Sequence, residues 1–102
     1  MDWFETRGYN RHMEFEWDGD KAAANLSKHG IRFEEAASVF GDPLTITFPD
    51  PAHSVGEHRF LAFGISRTET LLVVSFAERG KRIRLISARQ ATRAERKIYE
   101  EG

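Results

Sequence analysis

The feature that most constrains the fold is the segment 79–99, RGKRIRLISARQATRAERKIY, in which a strand pattern changes into a helix pattern. Its apolar residues, among them Ile83 and Leu85, predict a β-strand, and the side chains of a strand alternate between its two faces. Regular alternation places Arg84 on one face and Arg89 on the other. An arginine on each face is unusual for a core strand, because charged side chains are rarely buried without a partner.

The second half of this segment predicts a helix. Thr92, followed three residues later by Glu95, forms a capping box, in which each side chain hydrogen-bonds the backbone of the other residue. The segment holds eight of the chain's fifteen lysines and arginines, and a basic strand that leads into a basic helix indicates a surface for a polyanion. The alternative is a solvated edge strand followed by a solvated helix, and periodicity alone does not decide between the two.

Length and composition favour one domain without covalent cross-links. The chain has 102 residues and no cysteine, which excludes disulfides, thiolate metal sites and cysteine nucleophiles and indicates a reducing cytoplasm. No apolar run approaches the roughly 20 residues that span a bilayer, and the N-terminus lacks the apolar stretch of a secretory signal. We predict that 13–102 form the domain and that 1–12, which show no clear period, are a flexible extension.

Charge is distributed unevenly along the chain, although the net charge is only −1. Positions 13–57 hold nine acidic and three basic residues, a net charge of −6. Positions 58–102 hold ten basic and five acidic residues, a net charge of +5. This distribution predicts a positive face for one partner and a negative face elsewhere.

The hydrophobic pattern predicts an α+β fold. Phe15 and Trp17 alternate with acidic residues, which suits a short strand or an extended entry. Two helices follow: one ends at the Gly30 C-cap, and the other places Phe33 and Phe40 on one face. Four strands and a last helix come next, at 44–48, 59–66, 71–76, 82–88 and 92–100. The short turns favour a mainly antiparallel four-stranded sheet with the helices on one face, so that the open second face carries the arginines.

Arginines are the strongest chemical signal in the sequence. Five lie in strands or at strand ends: Arg59, Arg79, Arg82, Arg84 and Arg89. On one face they would bind RNA phosphates or stabilise the transition state of phosphoryl transfer, but they keep their protons and cannot act as the base. The candidates for proton transfer are His53, Glu57, His58, Glu78 and Tyr99. The alternative is that neighbours such as Glu57 and Arg59 form surface ion pairs, worth about 0–1 kcal/mol each.

A metal site and a serine nucleophile have less support. His53 and His58 lie five residues apart in a loop that also holds Asp50 and Glu57, but this irregular spacing matches no metal-binding motif. The serines lack the G-x-S-x-G context of a nucleophile elbow. We therefore expect neither a metal nor a cofactor.

Four stretches, in one order along the chain, resemble the BrnT family of toxins from bacterial type II toxin–antitoxin systems. They are FEWDGDKAAANLSKHGIRFEEAASVF, DPAHSVGEHRF, LLVVSFAERG and IRLISARQATRAERKIYEEG. The resemblance extends over 13–101 and leaves out the first twelve residues. Several motifs in the same order make the resemblance specific.

The resemblance implies a compact RelE-like fold and metal-independent RNA cleavage that inhibits translation. It also implies a BrnA-like antitoxin with a ribbon-helix-helix DNA-binding part. The toxin would dimerise through this partner, and the heterotetramer would repress its own operon, so that operator DNA is bound only through the antitoxin. Ribosome-associated toxins are often strongly basic, and the mild net charge here therefore favours cleavage of free mRNA.

The resemblance also implies the residues of the site. The family's histidine, its E-x-R-like pair, its arginine before the turn glycine and its I-R-x-I-S-A-R strand fall on His53, Glu57, Arg59, Arg79, Arg84 and Arg89. We predict as catalytic His53, Glu57, Arg59, Arg79 and Arg89, and as RNA-binding His58, Arg82 and Arg84. In this hypothesis His53 or Glu57 takes the proton of the ribose 2′-hydroxyl, and His58 supports the leaving oxygen.

Two other functions compete with this hypothesis. In one, the basic face only seats an acidic antitoxin segment, and the chain is a non-catalytic interaction module of a DNA-binding repressor complex. In the other, which has weaker support, the last helix binds DNA directly, and the affinity would then fall steeply with salt.

Overall fold

The protein is described by a computed structural model that covers residues 14–102. The prediction for 1–12 lies outside the described residues. The strands and α-helices, in chain order, are β1 (Glu14–Glu16), α1 (Gly19–His29), α2 (Phe33–Ala37), β2 (Ile46–Pro49), β3 (Arg59–Ile65), β4 (Leu71–Arg79), β5 (Arg82–Gln90) and α3 (Arg93–Glu101). Two 3₁₀ turns complete them, Ser38–Gly41 and Pro51–His53. None of these helices is long and apolar enough to cross a membrane.

The described strands form one sheet in the order β1-β5-β4-β3-β2. Neighbours are antiparallel, except that β1 runs parallel to β5 and pairs Phe15 with Ile83. The sheet therefore has five strands, and the predicted number of four was wrong. The error has a simple cause: β1 is three residues long, and alternation over so short a stretch does not distinguish a paired strand from an extended entry.

Both ends of α1 follow the sequence pattern. The Asp18 carboxylate accepts a hydrogen bond from the Lys21 backbone N–H at 2.9 Å, and Gly30 ends the helix with φ at 72°. This left-handed conformation costs glycine little because it has no Cβ. The second helical segment is broken into α2 and the 3₁₀ turn that follows it, but Phe33 and Phe40 are both buried, as the apolar spacing predicts.

The main core lies between α1, α2 and one face of the sheet, which we call the first face. Phe40 is its centre, with ring contacts to Phe76 at 4.9 Å and to Phe15 at 5.4 Å. Leu72, Val74, Phe76, Ile83, Leu85 and Ala88 supply the sheet side of this core. Because these side chains are almost completely buried, each removes apolar surface from water, and this burial is the main stabilising term in folding.

A buried asparagine hydrogen-bonds the edge of β5 beyond the point where β1 ends. The side-chain amide of Asn25, in α1, donates to the Ala88 carbonyl at 2.9 Å and to the Ile31 carbonyl at 3.0 Å, and accepts from the Ala88 N–H at 3.0 Å. Asn25 thus pairs both backbone groups of Ala88 in place of a neighbouring strand, which a buried edge requires.

A β-bulge changes which side chains of β5 share a face. Ser75 pairs with Ser87, but the next residue of β4, Phe76, pairs with Leu85, so Ile86 is an extra residue. One extra residue reverses the alternation on one side of the bulge. Arg84 and Arg89 therefore lie on the same face, the second face, and the prediction of an arginine on each face was wrong.

The C-terminal helix does not share the first face with α1 and α2. The capping box predicted at Thr92 and Glu95 is present, but Glu95 binds Arg89, whose side chain lies on the second face. Near the other end of α3, the Tyr99 hydroxyl donates to the Asp42 carboxylate at 2.5 Å. The prediction that all helices lie on one face was thus wrong for α3, which is tied to the arginine-bearing face.

Candidate functional site

Four arginines from three neighbouring strands lie close together on the second face, and we call them the arginine cluster: Arg59, Arg79, Arg82 and Arg84. Arg79 pairs directly with Arg82 across the β4–β5 ladder. In the adjacent row Arg59 and Arg84 pair with Ala77 from opposite sides, which places their Cα atoms about 10 Å apart, two strand spacings. The two rows are about 7 Å apart along the strands. Ala77, which lies between Arg59 and Arg84, is buried.

Acidic neighbours neutralise only part of this cluster. Arg82 lies 3.3 Å from the Glu14 carboxylate and 4.0 Å from that of Glu16. The Arg59 Nε lies 3.5 Å from Glu57 Oε1; this nitrogen is buried and makes no hydrogen bond to a described residue.

The other two arginines of the cluster are less engaged. Neither Arg79 nor Arg84 forms an ion pair with an acidic side chain of residues 14–102. Two guanidinium groups without an ion pair to residues 14–102 favour the binding of an anion such as phosphate, and Glu16 lies beside one of them, Arg84, on the neighbouring strand.

The β4–β5 turn borders the cluster with a mixed-charge depression. Its volume is about 720 Å³, and its lining residues are Glu14, Glu16, Arg79, Lys81 and Arg82. The carboxylates of β1 reduce the positive potential on this side. Acidic side chains also adjoin the other row, since Glu16 pairs with Arg84 across the β1–β5 ladder and Glu57 faces Arg59.

A serine hydroxyl fixes the loop that follows β2 to the start of β3. The Asp50 N–H donates to the Arg59 carbonyl at 2.8 Å, which extends the β2–β3 ladder by one residue on one side. On the other side the Ser54 hydroxyl lies between the two strands: it donates to the Asp50 carbonyl at 2.7 Å and accepts from the Arg59 N–H at 3.0 Å. The turn Pro51–His53 is thus held beside the arginine cluster.

This loop carries the predicted proton-transfer residues. The imidazole Nδ1 of His53 lies 2.9 Å and 3.1 Å from the two carboxylate oxygens of Asp50. His53 itself is 68% exposed, whereas Asp50 is only 17% exposed. Glu57 faces Arg59, and His58 is an exposed residue next to Arg59 in the chain. The structure therefore brings His53, Glu57 and His58 to the end of the sheet that holds the arginine cluster.

Arg89 lies apart from the cluster, about 13 Å along β5 from Arg84 at the usual rise per strand residue. Its two terminal nitrogens donate to the two oxygens of Glu95 at 2.7 Å and 2.8 Å. Glu95 also accepts from the Thr92 N–H at 2.9 Å. The hydrogen bonds from Arg89, more than those from Thr92, lower the pKa of Glu95 to about 2. The catalytic role predicted for Arg89 stays a prediction, and its contacts connect β5 to α3.

Asp50 and Ser54 belong to this arrangement although sequence reasoning gave neither of them a role. A usable signal was present, because an Asp-Pro pair favours a tight turn and His53 follows Asp50 by three residues, within reach across such a turn. The described residues contain no group of three or more His, Cys, Asp or Glu side chains that could hold a metal ion.

Comparisons with known proteins agree with the resemblance seen in the sequence. A family model described as ribonuclease toxin, BrnT, of type II toxin-antitoxin system matches residues 17–95. The crystal structure of the Brucella abortus ribonuclease toxin BrnT is similar to this chain with a TM-score of 0.63 and 25% sequence identity, and the match covers 79% of this chain and 99% of that chain. The chain matches none of the curated proteins.

Proposed function

Because the chain belongs to the BrnT family of ribonuclease toxins of type II toxin–antitoxin systems, we propose that it is a metal-independent endoribonuclease that cleaves RNA by attack of the ribose 2′-hydroxyl on the adjacent phosphate. The observation that carries this proposal is the arginine cluster beside the loop of His53 and Glu57. Cationic groups held in place around a phosphate stabilise the charge that develops in phosphoryl transfer, and the neighbouring loop supplies an imidazole and a carboxylate, two side chains that serve as general acids and bases.

In the proposed reaction, the 2′ oxygen forms a bond to phosphorus while the bond from phosphorus to the 5′ oxygen breaks. His53 or Glu57 takes the proton of the 2′-hydroxyl, and His58 gives a proton to the leaving 5′ oxygen. The products are a 2′,3′-cyclic phosphate and a 5′-hydroxyl. Arg59, Arg79 and Arg84 hold the phosphoryl oxygens, and Arg82, with its two carboxylate neighbours, binds the RNA backbone beyond the scissile phosphate.

Arg89 is left out of this phosphate-binding set. Both of its terminal nitrogens already bind Glu95, and a phosphate would have to displace a bidentate carboxylate to reach them. We assign Arg89 to the attachment of α3 instead.

A toxin of a type II system has an antitoxin partner, and we propose that this partner is a BrnA-like protein with a ribbon-helix-helix part. The complex would be a heterotetramer that binds operator DNA only through the antitoxin. The free toxin would act in the cytoplasm on mRNA and inhibit translation, in the manner of RelE-like toxins. The basic half of the chain, with its net charge of +5, suits either the RNA or an acidic segment of the antitoxin.

Incubation of the purified chain with RNA in EDTA tests the activity. We expect cleavage to 2′,3′-cyclic phosphate ends, and we expect Arg84→Ala to be about 100-fold slower or more, the usual cost of removing one transition-state donor. The matched control is Arg67→Ala, an exposed arginine in the turn after β3, which should cleave at the wild-type rate.

Intact RNA with the wild-type protein would contradict the proposal, and equal cleavage by wild type and Arg84→Ala would place the site elsewhere. Expression in cells separates the toxin from the non-catalytic module. The toxin should arrest growth and Arg84→Ala should not, whereas a binding module would be tolerated in either form.

A further inference from the structure

The carboxylate of Asp50 contacts the imidazole of His53 rather than a backbone N–H. Asp50 occupies the N-cap position of the turn Pro51–His53, where an aspartate normally accepts a hydrogen bond from a backbone N–H, but its side chain makes no such bond. Both of its oxygens instead face the His53 Nδ1, at 2.9 Å and 3.1 Å. Asp50 is mostly buried and His53 is mostly exposed, so Asp50 can orient an imidazole that remains accessible to a substrate.

This contact determines which ring nitrogen of His53 can act as a base. An ionised carboxylate only accepts hydrogen bonds, so Nδ1 must carry a proton when it binds Asp50. The neutral imidazole then has its lone pair on Nε2, which is the ring atom that can accept a proton.

The charged groups nearest to this pair along the sheet come from the following loop and from the strands beyond β2. The loop before β3 contributes Glu57, and β3 contributes Arg59, which lie 3.5 Å apart; the neighbouring strands add Arg79, Arg82 and Arg84. Glu57 is thus already paired with a cation, whereas the Nε2 of His53 has no hydrogen-bond partner among the described residues. Of the two candidate bases, His53 is the one whose accepting atom is unengaged.

The Asp50–His53 pair is also connected to the arginine cluster through hydrogen bonds between β2 and β3. Asp50 lies opposite Arg59 at the end of the β2–β3 ladder, and the Ser54 hydroxyl connects the backbones of both residues. The turn that carries His53 therefore begins at a residue, Asp50, whose backbone is fixed to the backbone of Arg59.

We propose that Asp50 is a positioning residue that holds His53 in the Nδ1–H tautomer, so that His53 Nε2 takes the proton of the RNA 2′-hydroxyl. This inference rests on the proposed nuclease function, and it adds the identity of the base and the residue that orients it. Asp50 itself does not touch the substrate.

Long-range ¹H–¹⁵N NMR spectra of the full chain test the tautomer without any substrate. At a pH where His53 is neutral, we expect the wild type to show the Nδ1–H form and Asp50→Ala to show the Nε2–H form that a free imidazole prefers. The matched control is Asp20→Ala, an exposed aspartate in the first turn of α1, which should leave the His53 signals unchanged. The Nε2–H form in both wild type and Asp50→Ala would overturn the proposal.

A double-mutant cycle tests the role in cleavage. We expect Asp50→Ala to slow cleavage about 10- to 100-fold, less than the roughly 100- to 10,000-fold contribution of a general base itself, because the variant keeps His53, and we expect no further effect once His53→Ala is present. The same loss in the His53→Ala background would show a merely structural role and overturn the proposal. If the wild type cleaves no RNA, the nuclease function and its base both fail, while the NMR result still decides the His53–Asp50 pair.

Discussion

The two ends of the second face use the same side chain for different tasks. At one end, Arg79 and Arg84 lie on neighbouring strands without an ion pair to any described residue. At the other end, Arg89 is held by both oxygens of Glu95, the capping residue of α3. An arginine that binds a protein carboxylate through both terminal nitrogens stabilises the fold, whereas one without an ion pair is available to a ligand.

The difference follows from what lies next to each end. The arginine cluster lies beside the β4–β5 turn and the loop after β2, whereas α3 begins shortly after Arg89 and brings Glu95 to it. Residue type alone therefore does not separate the two ends, whereas the geometry of the ion pair does: Arg59 faces Glu57 through Nε alone, and Arg89 binds Glu95 through both terminal nitrogens. The predictions below test this distinction.

The largest effect should be on cleavage by variants of the cluster. Arg59→Ala should reduce kcat for RNA cleavage about 100-fold, because it removes a cation that is held next to the reacting phosphate. Arg89→Ala should stay within about twofold of wild type per folded molecule, because its donors face Glu95. Single-turnover cleavage, normalised to the folded fraction from circular dichroism, checks both. A folded Arg89→Ala that has lost its activity would erase the distinction between the two ends.

Stability should show the opposite ranking. Arg89→Ala should lower the free energy of unfolding by about 1–2 kcal/mol, because it breaks a bidentate ion pair and leaves the carboxylate of Glu95 without its main partner; solvent around the partly exposed Arg89 limits the loss. Arg84→Ala should change it by less than about 0.5 kcal/mol, as is usual for a surface side chain without such a partner. Urea denaturation at pH 7 measures both. Equal losses would mean that Arg84 too has a structural task.

The helix ends and the central strand were predictable from the sequence because their signals are local. Gly30 ends α1 and the Thr92–Glu95 capping box begins α3, since a cap is specified by residues three or four positions apart. The apolar run at 71–76 lies in the middle of the sheet as β4 for a similar reason: a strand covered on both faces reads as continuous apolar sequence.

Features that depend on distant residues were not predictable. The bulge at Ile86 arises in the pairing of β5 with β4, and no residue within β5 marks it. Asn25 looks like an ordinary helix residue, yet it binds Ala88, which lies 63 positions away. The sequence left open whether the five arginines share one face, and the separation of Arg89 from the other four depends on where α3 begins after β5.

Acid should selectively weaken the ion pair between Arg89 and Glu95. The hydrogen bonds from Arg89 lower the pKa of Glu95 in the folded protein to about 2 from its ordinary value of 4.5. A carboxylate with a lowered pKa contributes stability above pH 4.5 that is lost as the pH falls from about 4.5 toward 2. Because Arg89 is 40% exposed, screening limits this contribution to about 1 kcal/mol.

Glu95→Gln provides the comparison for this pH effect. The difference in unfolding free energy between wild type and Glu95→Gln should be largest near neutral pH and should shrink between pH 4.5 and pH 2.5, because the variant has no carboxylate to protonate. Urea denaturation at a series of pH values measures this difference. A constant difference over that range would mean that Glu95 is not held as an ion pair with Arg89.

The smallest effect should come from the second attachment of α3. The Tyr99 hydroxyl donates to Asp42, which also accepts from the N–H groups of Leu44 and Ile65. Tyr99→Phe keeps the ring and removes one of these three donors, so it should lower the unfolding free energy by about 0.5–1 kcal/mol, less than Arg89→Ala.

The pH dependence of this contact has the opposite sign to that of Glu95. Burial, and then the hydrogen bond to Asp42, raise the pKa of Tyr99 above 10.0. A raised pKa in an acid that is neutral when folded gives stability that is present below pH 10 and is lost as the pH rises above it. The stabilities of wild type and Tyr99→Phe should therefore approach each other in alkali and differ most at pH 7.

Hydrogen exchange in Tyr99→Phe tests whether the two attachments of α3 act independently. Faster exchange at the C-terminal end of α3, with the Arg89 end unchanged, would show that they do. Equal acceleration at both ends would show that α3 is released as one unit.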